Sequence, residues 1–319
     1  MYTHEEMIGL QAEKHDLINA AEFRSIEGYV LHLIHTAAYS LAARLAENKR
    51  VLDLGCNTGY GTGLLFRSAR RVVGVDVSEK AIVSAKNQYG PLGIEFQQID
   101  GKTLPFDAEA FDVVVCCQVI EHIVDYKRFI EEMKRVVTAE GLFILTTPNA
   151  LLRLYPGMKP WNVFHVREFN HIDLKSLLDT FFNNVSIFGL FAIEPLYSIE
   201  VSRLARARED AKSNVNMKNS DQTVSKRANI GEKLLRKMIH LSTGTRQSFT
   251  RKSKAELQAL MTTHGVDDFF YRRNDLESAL DLLAVCGNDE TVIETIKCNL
   301  AEQSSTESAV TSTNPRGHL

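Results

Sequence analysis

The chain has 319 residues, 44% hydrophobic and 24% charged, with a formal net charge of −3. That balance excludes collagenous, disulfide-stapled and wholly disordered proteins, and the length suffices for one large core with substantial insertions. No eighteen apolar residues run together, the five cysteines (Cys56, Cys116, Cys117, Cys286, Cys298) contain no C-x-x-C pair, and no basic-then-apolar leader is visible, so a cytoplasmic protein with reduced thiols is expected.

The first predicted element is a long helix from Ile26 to Glu47, with Tyr29, Leu33, Ala37, Leu41 and Leu45 at helical spacing. Strands are predicted at 50–54, 71–75, 94–99, 111–117, 141–147 and about 184–190. Helices are predicted near 60–69, 78–88, 125–137 and 172–182. Strands alternating with helices imply an α/β fold whose parallel sheet is covered on both faces. A late apolar run, Ala279 to Cys286, predicts one more strand. Between these last two strands lies a basic stretch: residues 203–254 hold fourteen Lys and Arg against four Asp and Glu, a net of +10. Within it Ile230, Leu234, Leu235, Met238 and Leu241 share one face of a basic amphipathic helix. A solvated surface helix is favoured there, with contact to an anionic substrate, membrane surface or RNA as the alternatives. Ser213 to Asn229 is expected to be mobile and the Ser/Thr-rich tail from 302 disordered.

Residues 51–61, Val-Leu-Asp-Leu-Gly-Cys-Asn-Thr-Gly-Tyr-Gly, carry the strongest functional signal. A buried strand ends in Asp53, and a loop containing Gly55, Asn57, Gly59 and Gly61 enters a helix. Glycine permits positive φ and close approach of a ligand, and Asn is the residue that next best tolerates that region. Twenty-one residues after Gly55, Val72-Val73-Gly74-Val75-Asp76-Val77 ends a second strand in another acid. An acid so placed takes a ribose hydroxyl pair. A third strand end carries Asp100-Gly101. The G-x-x-x-G-x-G order lacks the dinucleotide spacing G-x-G-x-x-G, and Asp53 beside the loop suits a cationic ligand better than a pyrophosphate.

Asp53-Leu54-Gly55-Cys56-Asn57-Thr58-Gly59 resembles the D-x-G-x-G-x-G loop of class I S-adenosylmethionine-dependent methyltransferases, with Asn57 at the middle glycine. The resemblance implies a Rossmann-like, seven-stranded, mostly parallel sheet whose last strand is antiparallel. It implies that Asp53, Gly55, Asn57, Gly59, Asp76, Val77, Asp100, Gly101 and Gln118 hold S-adenosylmethionine, Asp100 at the adenine amino group. Phe111-Asp112-Val113 through Val119-Ile120-Glu121-His122 resembles the family's fourth strand and its exit, where Gln118 would offer an amide donor to the methionine carboxylate. The implied division is a helical lid at 1–48, a core at 49–190, a basic helical insertion at 191–274, a last strand and helix at 275–301, and the tail. The bland alternative for the first helix is simple packing on the sheet.

Methyl transfer to oxygen calls for a general base or a metal. Candidates are Glu121 and His122 after strand four and His165 after strand five, histidine being suited to proton transfer near neutrality. Glu121-His122 could instead merely order a helix start. Ubiquinone-pathway and small-RNA ribose methyltransferases carry E-x-x-E-H here as a divalent-metal site. This chain has Gln118 for the first carboxylate, so no metal is expected. His165-Val166-Arg167-Glu168-Phe169 resembles the H-x-R-E-F motif of enzymes acting on sugars, glycans and related metabolites. Tyr155 to Trp161 would cover the acceptor, with Trp161 stacking on a sugar or anchoring the loop. The expected activity is O-methylation of a sugar, glycan-linked or other small hydroxyl acceptor. The rivals are an RNA ribose methyltransferase, disfavoured by Gln118 and by the scarcity of aromatics in the basic stretch, and a non-catalytic cofactor-binding protein.

Overall fold

The computed structural model describes residues 3, 5–9, 23–220, 251–290, 293, 294 and 296. The predicted amphipathic helix at 230–241 and the tail from 302 lie outside the described residues. The helices are α1 (Ile26–Leu45), α2 (Tyr60–Phe66), α3 (Glu79–Tyr89), α4 (Tyr126–Val136), α5 (Ala150–Arg153), α6 (His171–Leu178), α7 (Leu196–Ser220) and α8 (Arg251–Thr263). The strands are β1 (Arg50–Leu54), β2 (Arg71–Asp76), β3 (Glu95–Gln98), β4 (Phe111–Cys117), β5 (Val137–Pro148), β6 (Asn184–Ala192), β7 (Phe269–Arg272) and β8 (Asp281–Gly287). They form one sheet in the order β3-β2-β1-β4-β5-β8-β6-β7. From β3 to β5 the pairs are parallel, and β8 runs antiparallel between β5 and β6.

Alternation along the strands explains the two cores. Val51, Val113, Val115, Leu142 and Ile144 point to one face, under α1. Their neighbours Leu52, Val114, Cys116, Phe143 and Leu145 point to the other, where Ile130 and Met133 of α4 and Leu174 and Leu178 of α6 cover them. Polar caps start the helices: the Ser25 hydroxyl accepts from Gly28 N–H at 2.9 Å, and Ser78, Asp125 and Asn170 accept likewise at α3, α4 and α6.

The sheet has eight strands where seven were expected. The addition is β7, paired antiparallel with the edge of β6 from Gly189↔Arg272 to Ala192↔Phe269. It is four residues long, with only Phe269 and Tyr271 buried, too short for a strand signal of its own. The segment preceding it also departs from expectation: α7 continues helical through Ser220, across residues expected to be mobile. Leu196 and Leu204 of α7 are buried, Arg208 donates to the Leu152 carbonyl of α5 at 3.2 Å, and Arg206 meets Glu27 of α1 at 3.0 Å. Among the described residues no helix is long and apolar enough to cross a membrane.

Candidate active site

The C-terminal ends of β1, β2 and β4 open on a cleft of about 360 Å³, where an open parallel sheet holds its ligand. Gly55, Asn57, Asp76, Val77, Gly101 and Gln118 line it, and Asp53, Gly59 and Asp100 do not. Gly55 has φ +78°, and a Cβ there would stand 2.4 Å from the Val119 side chain. Asn57, at φ +47°, adopts the left-handed backbone that its residue type tolerates. Asp76 accepts the Asn57 N–H at 2.9 Å and the Ser78 N–H at 2.8 Å, which fixes its carboxylate on the cleft wall.

The other two acids stand differently. Asp53 is fully buried behind the loop, accepting from the Tyr39 hydroxyl of α1 at 3.1 Å and the Thr62 hydroxyl of α2 at 2.6 Å. Burial pushes its carboxyl up to about 7, against those two hydrogen bonds. Its carboxyl group therefore fastens both helices to β1, while the Gly55 loop that follows faces the ligand. Asp100 is exposed, and its Oδ1 accepts the N–H groups of Lys102 and Thr103 at 2.8 and 3.1 Å, which hold its carboxyl below the usual range. It shapes the turn that brings Gly101, at φ +72°, to the cleft.

Sequence reasoning missed the apolar wall: Leu104, Ile123, Phe129 and Met133. Phe129 and Met133 lie four apart on α4, a signal visible in the helical periodicity. No residue of α1 lines the cleft. Glu5 does, and its carboxylate meets Lys102 Nζ at 2.6 Å, so the segment at 5–9 is what stands beside the opening.

Gln118 leaves β4 at φ +57° and donates its amide Nε2 to Asp281 Oδ2 at 3.0 Å and Thr146 Oγ1 at 3.3 Å. Beyond it, a 3-10 turn (Ile120–His122) presents Glu121 and His122. The Glu121 carbonyl accepts from Val166 N at 2.8 Å, which joins this turn to the segment carrying His165. His122 Nδ1 stands 3.0 Å from the Phe164 carbonyl, and His165 Nδ1 stands 2.7 Å from Glu168 Oε1. A carbonyl and a carboxylate only accept, so both rings carry Nδ1–H, and in the neutral form Nε2 is the atom that can take up a proton. The two rings meet edge to face, centroids 4.8 Å apart. Glu168 is itself clamped by Arg153 at 2.9 Å. Burial pushes the Glu168 carboxyl up, but the His165 hydrogen bond and the Arg153 charge outweigh it and hold it below the ordinary value. Glu121 is buried, with Oε2 accepting from the Thr147 hydroxyl at 3.0 Å and Oε1 without a partner; burial pushes its carboxyl up to about 8. Trp161 has the Arg153 guanidinium 4.2 Å over its ring, so one indole face is already covered.

Residues 52–145 match the family model described as a methyltransferase domain. They are a class I, S-adenosylmethionine-dependent methyltransferase domain. A probable S-adenosylmethionine-dependent methyltransferase of Mycobacterium tuberculosis is 39% identical over 159 residues, 49% of this chain and 57% of that protein. A ubiquinone biosynthesis O-methyltransferase of Coxiella burnetii is 32% identical over 129 residues, 39% of this chain and 55% of its own length. The chain thus spans a little over half the length of the curated relatives it matches. Among solved structures, the YcgJ protein of Bacillus subtilis is 18% identical with a TM-score of 0.45, covering 80% of this chain and all of that one.

The cofactor of such a methyltransferase domain is S-adenosylmethionine, and the cleft fits it. Asp76 offers a carboxylate for a ribose diol, Leu104, Phe129 and Met133 offer an apolar slot for a purine, and the Gly55 loop permits close backbone approach. A metal has a separate place: among the described residues, ligand atoms of Glu121, His122 and His165 lie within 4.8 Å of one another. The partnerless Glu121 Oε1 is consistent with that use, and two imidazoles with one carboxylate suit a transition ion better than Mg²⁺.

Proposed function

We propose that this chain methylates a hydroxyl group of a sugar, glycan-linked or other small-molecule acceptor. The observation that carries the reading is the pair of histidines at the cleft's edge, both with Nδ1–H fixed by a protein acceptor and Nε2 basic. The name of the Coxiella relative, an O-methyltransferase, agrees with oxygen as the acceptor atom. S-adenosylmethionine would supply the activated methyl carried on its sulfonium sulfur, which leaves as a neutral thioether. The protein's part is to orient the two partners in line and to take the acceptor's proton. His122, which lines the cleft, receives that proton at Nε2. His165 stands against it, and Glu168 stabilises the charge on whichever ring holds the proton.

In an assay of labelled methyl transfer across nucleotide sugars and glycans, His122→Ala should lower kcat on the order of 10²-fold or more. The S-adenosylmethionine Kd should stay unchanged. Full turnover in both His122→Ala and His165→Ala would remove the histidines from the chemistry. A second reading adds a divalent ion held by Glu121, His122 and His165, which would polarise the acceptor oxygen. Turnover that survives EDTA supports the metal-free reading; activity lost in EDTA and restored by Mn²⁺ or Zn²⁺ supports the second.

A further inference from the structure

Gln118 carries an orientation that its residue type alone does not dictate. An amide has a donor end and an acceptor end, and the partners decide which end faces a ligand. Here both N–H groups are engaged inside the protein, one by Asp281 Oδ2 at 3.0 Å and one by Thr146 Oγ1 at 3.3 Å. In the structure it is the amide nitrogen, and not the oxygen, that faces the Asp281 carboxyl. The carbonyl Oε1, by contrast, accepts no hydrogen bond from any described residue, and Gln118 lines the cleft beside Gly55. The backbone reinforces this placement. Gln118 sits at φ +57°, unusual for a residue with a side chain, with its N–H bound to the Thr146 carbonyl at 2.9 Å. Asp281 is the first residue of β8, 163 positions along the chain, and its backbone pairs with Pro148 of β5 and Leu190 of β6. It is therefore held from two sides.

We propose that Asp281 is a positioning residue that turns Gln118 so that its carbonyl oxygen receives the ammonium of the cofactor's methionine end. This reverses the polarity expected from the sequence, in which the amide would donate to the carboxylate of that end. The inference rests on the cofactor reading of the cleft and extends it to which group of the ligand Gln118 selects. A last strand that reaches the cleft only through another side chain thereby becomes part of ligand recognition.

Calorimetric titration of the full chain with three probes tests this. S-adenosylhomocysteine carries ammonium and carboxylate, its decarboxylated analogue carries the ammonium alone, and 5′-methylthioadenosine carries neither. Gln118→Leu and Asp281→Leu should each weaken the first two by roughly tenfold to a hundredfold, as for a lost hydrogen bond to a charged group, and leave methylthioadenosine unchanged. Asp281→Asn, which keeps an oxygen for the amide, should restore most of the affinity. If only the carboxylate-bearing probe is weakened, the amide donates after all and the inference is overturned. Equal weakening of all three would reduce Asp281 to a structural role, and Gln118→Leu, on the cleft wall, decides the question should Asp281→Leu fail to fold. Wild-type protein that binds none of the probes would overturn the cofactor reading itself, whereas normal wild-type binding with unaffected variants overturns only the assignment to Gln118 and Asp281.

Discussion

Three acids at three strand tips do three different jobs because their surroundings differ. Asp76 stands on the cleft wall, held by two backbone N–H groups, so Asp76→Ala should weaken S-adenosylmethionine binding by about 1.5–3 kcal/mol in a calorimetric titration. Asp53 is enclosed, and its carboxyl is raised to about 7 from an ordinary 3.8. A raised folded-state value means that the native protein holds a proton which the unfolded chain gives up. The stability contributed is complete below about pH 4 and is lost as pH rises through 7. In ligand-free protein, Asp53→Asn should therefore gain on wild type between those limits, by a few kcal/mol in urea titrations at pH 5 and pH 8.5. A constant difference across pH would mean that Asp53 is ionised throughout. Asp100, exposed, commits one carboxylate oxygen to two backbone N–H groups and shapes the turn that carries Gly101.

Among the elements, α1 and α2 show how closely the loop is backed. A Cβ on Gly61 would stand 2.2 Å from the Tyr39 ring, so α2 enters its helix directly against α1. Gly61→Ala should cost about 1–3 kcal/mol by thermal denaturation, and much of that should vanish in a Tyr39→Ala background if the clash is its cause. What was legible in the sequence follows from range. Strands β1 and β2 announce themselves by apolar runs that end in acids or glycine-rich turns and β4 by an apolar run that stops at Gln118, and the cleft-lining positions Gly55, Asp76 and Gln118 sit at those ends. The Phe129 and Met133 wall lies on a helix whose period was read, but periodicity does not say which face meets a ligand. β7 has no local signature, because its four residues become a strand only when β6 offers an edge. The bond from Gln118 to Asp281 is a tertiary coincidence between segments far apart in the chain, and the Arg153–Glu168–His165 chain of contacts likewise joins segments whose pairing no local pattern reports.

For the whole molecule, the decisive feature is that β8, drawn from late in the chain, lies in the middle of the sheet's second half. Leu282 through Cys286 are completely buried between β5 and β6. The stretch matched by the methyltransferase model, 52–145, contains neither β6 nor β8 and so cannot close its own sheet. A fragment ending at Ala192 should accordingly lack a cooperative thermal transition by circular dichroism, while one ending after the buried Ile296 should regain it. During synthesis the same arrangement imposes a wait. Roughly 140 residues separate the end of β5 from the end of β8, which at ribosomal speeds is on the order of ten seconds. For that interval the nascent chain displays the hydrogen-bonding edge of one of its most apolar strands, and whatever shields that edge in the cell acts before β8 is there to pair with it.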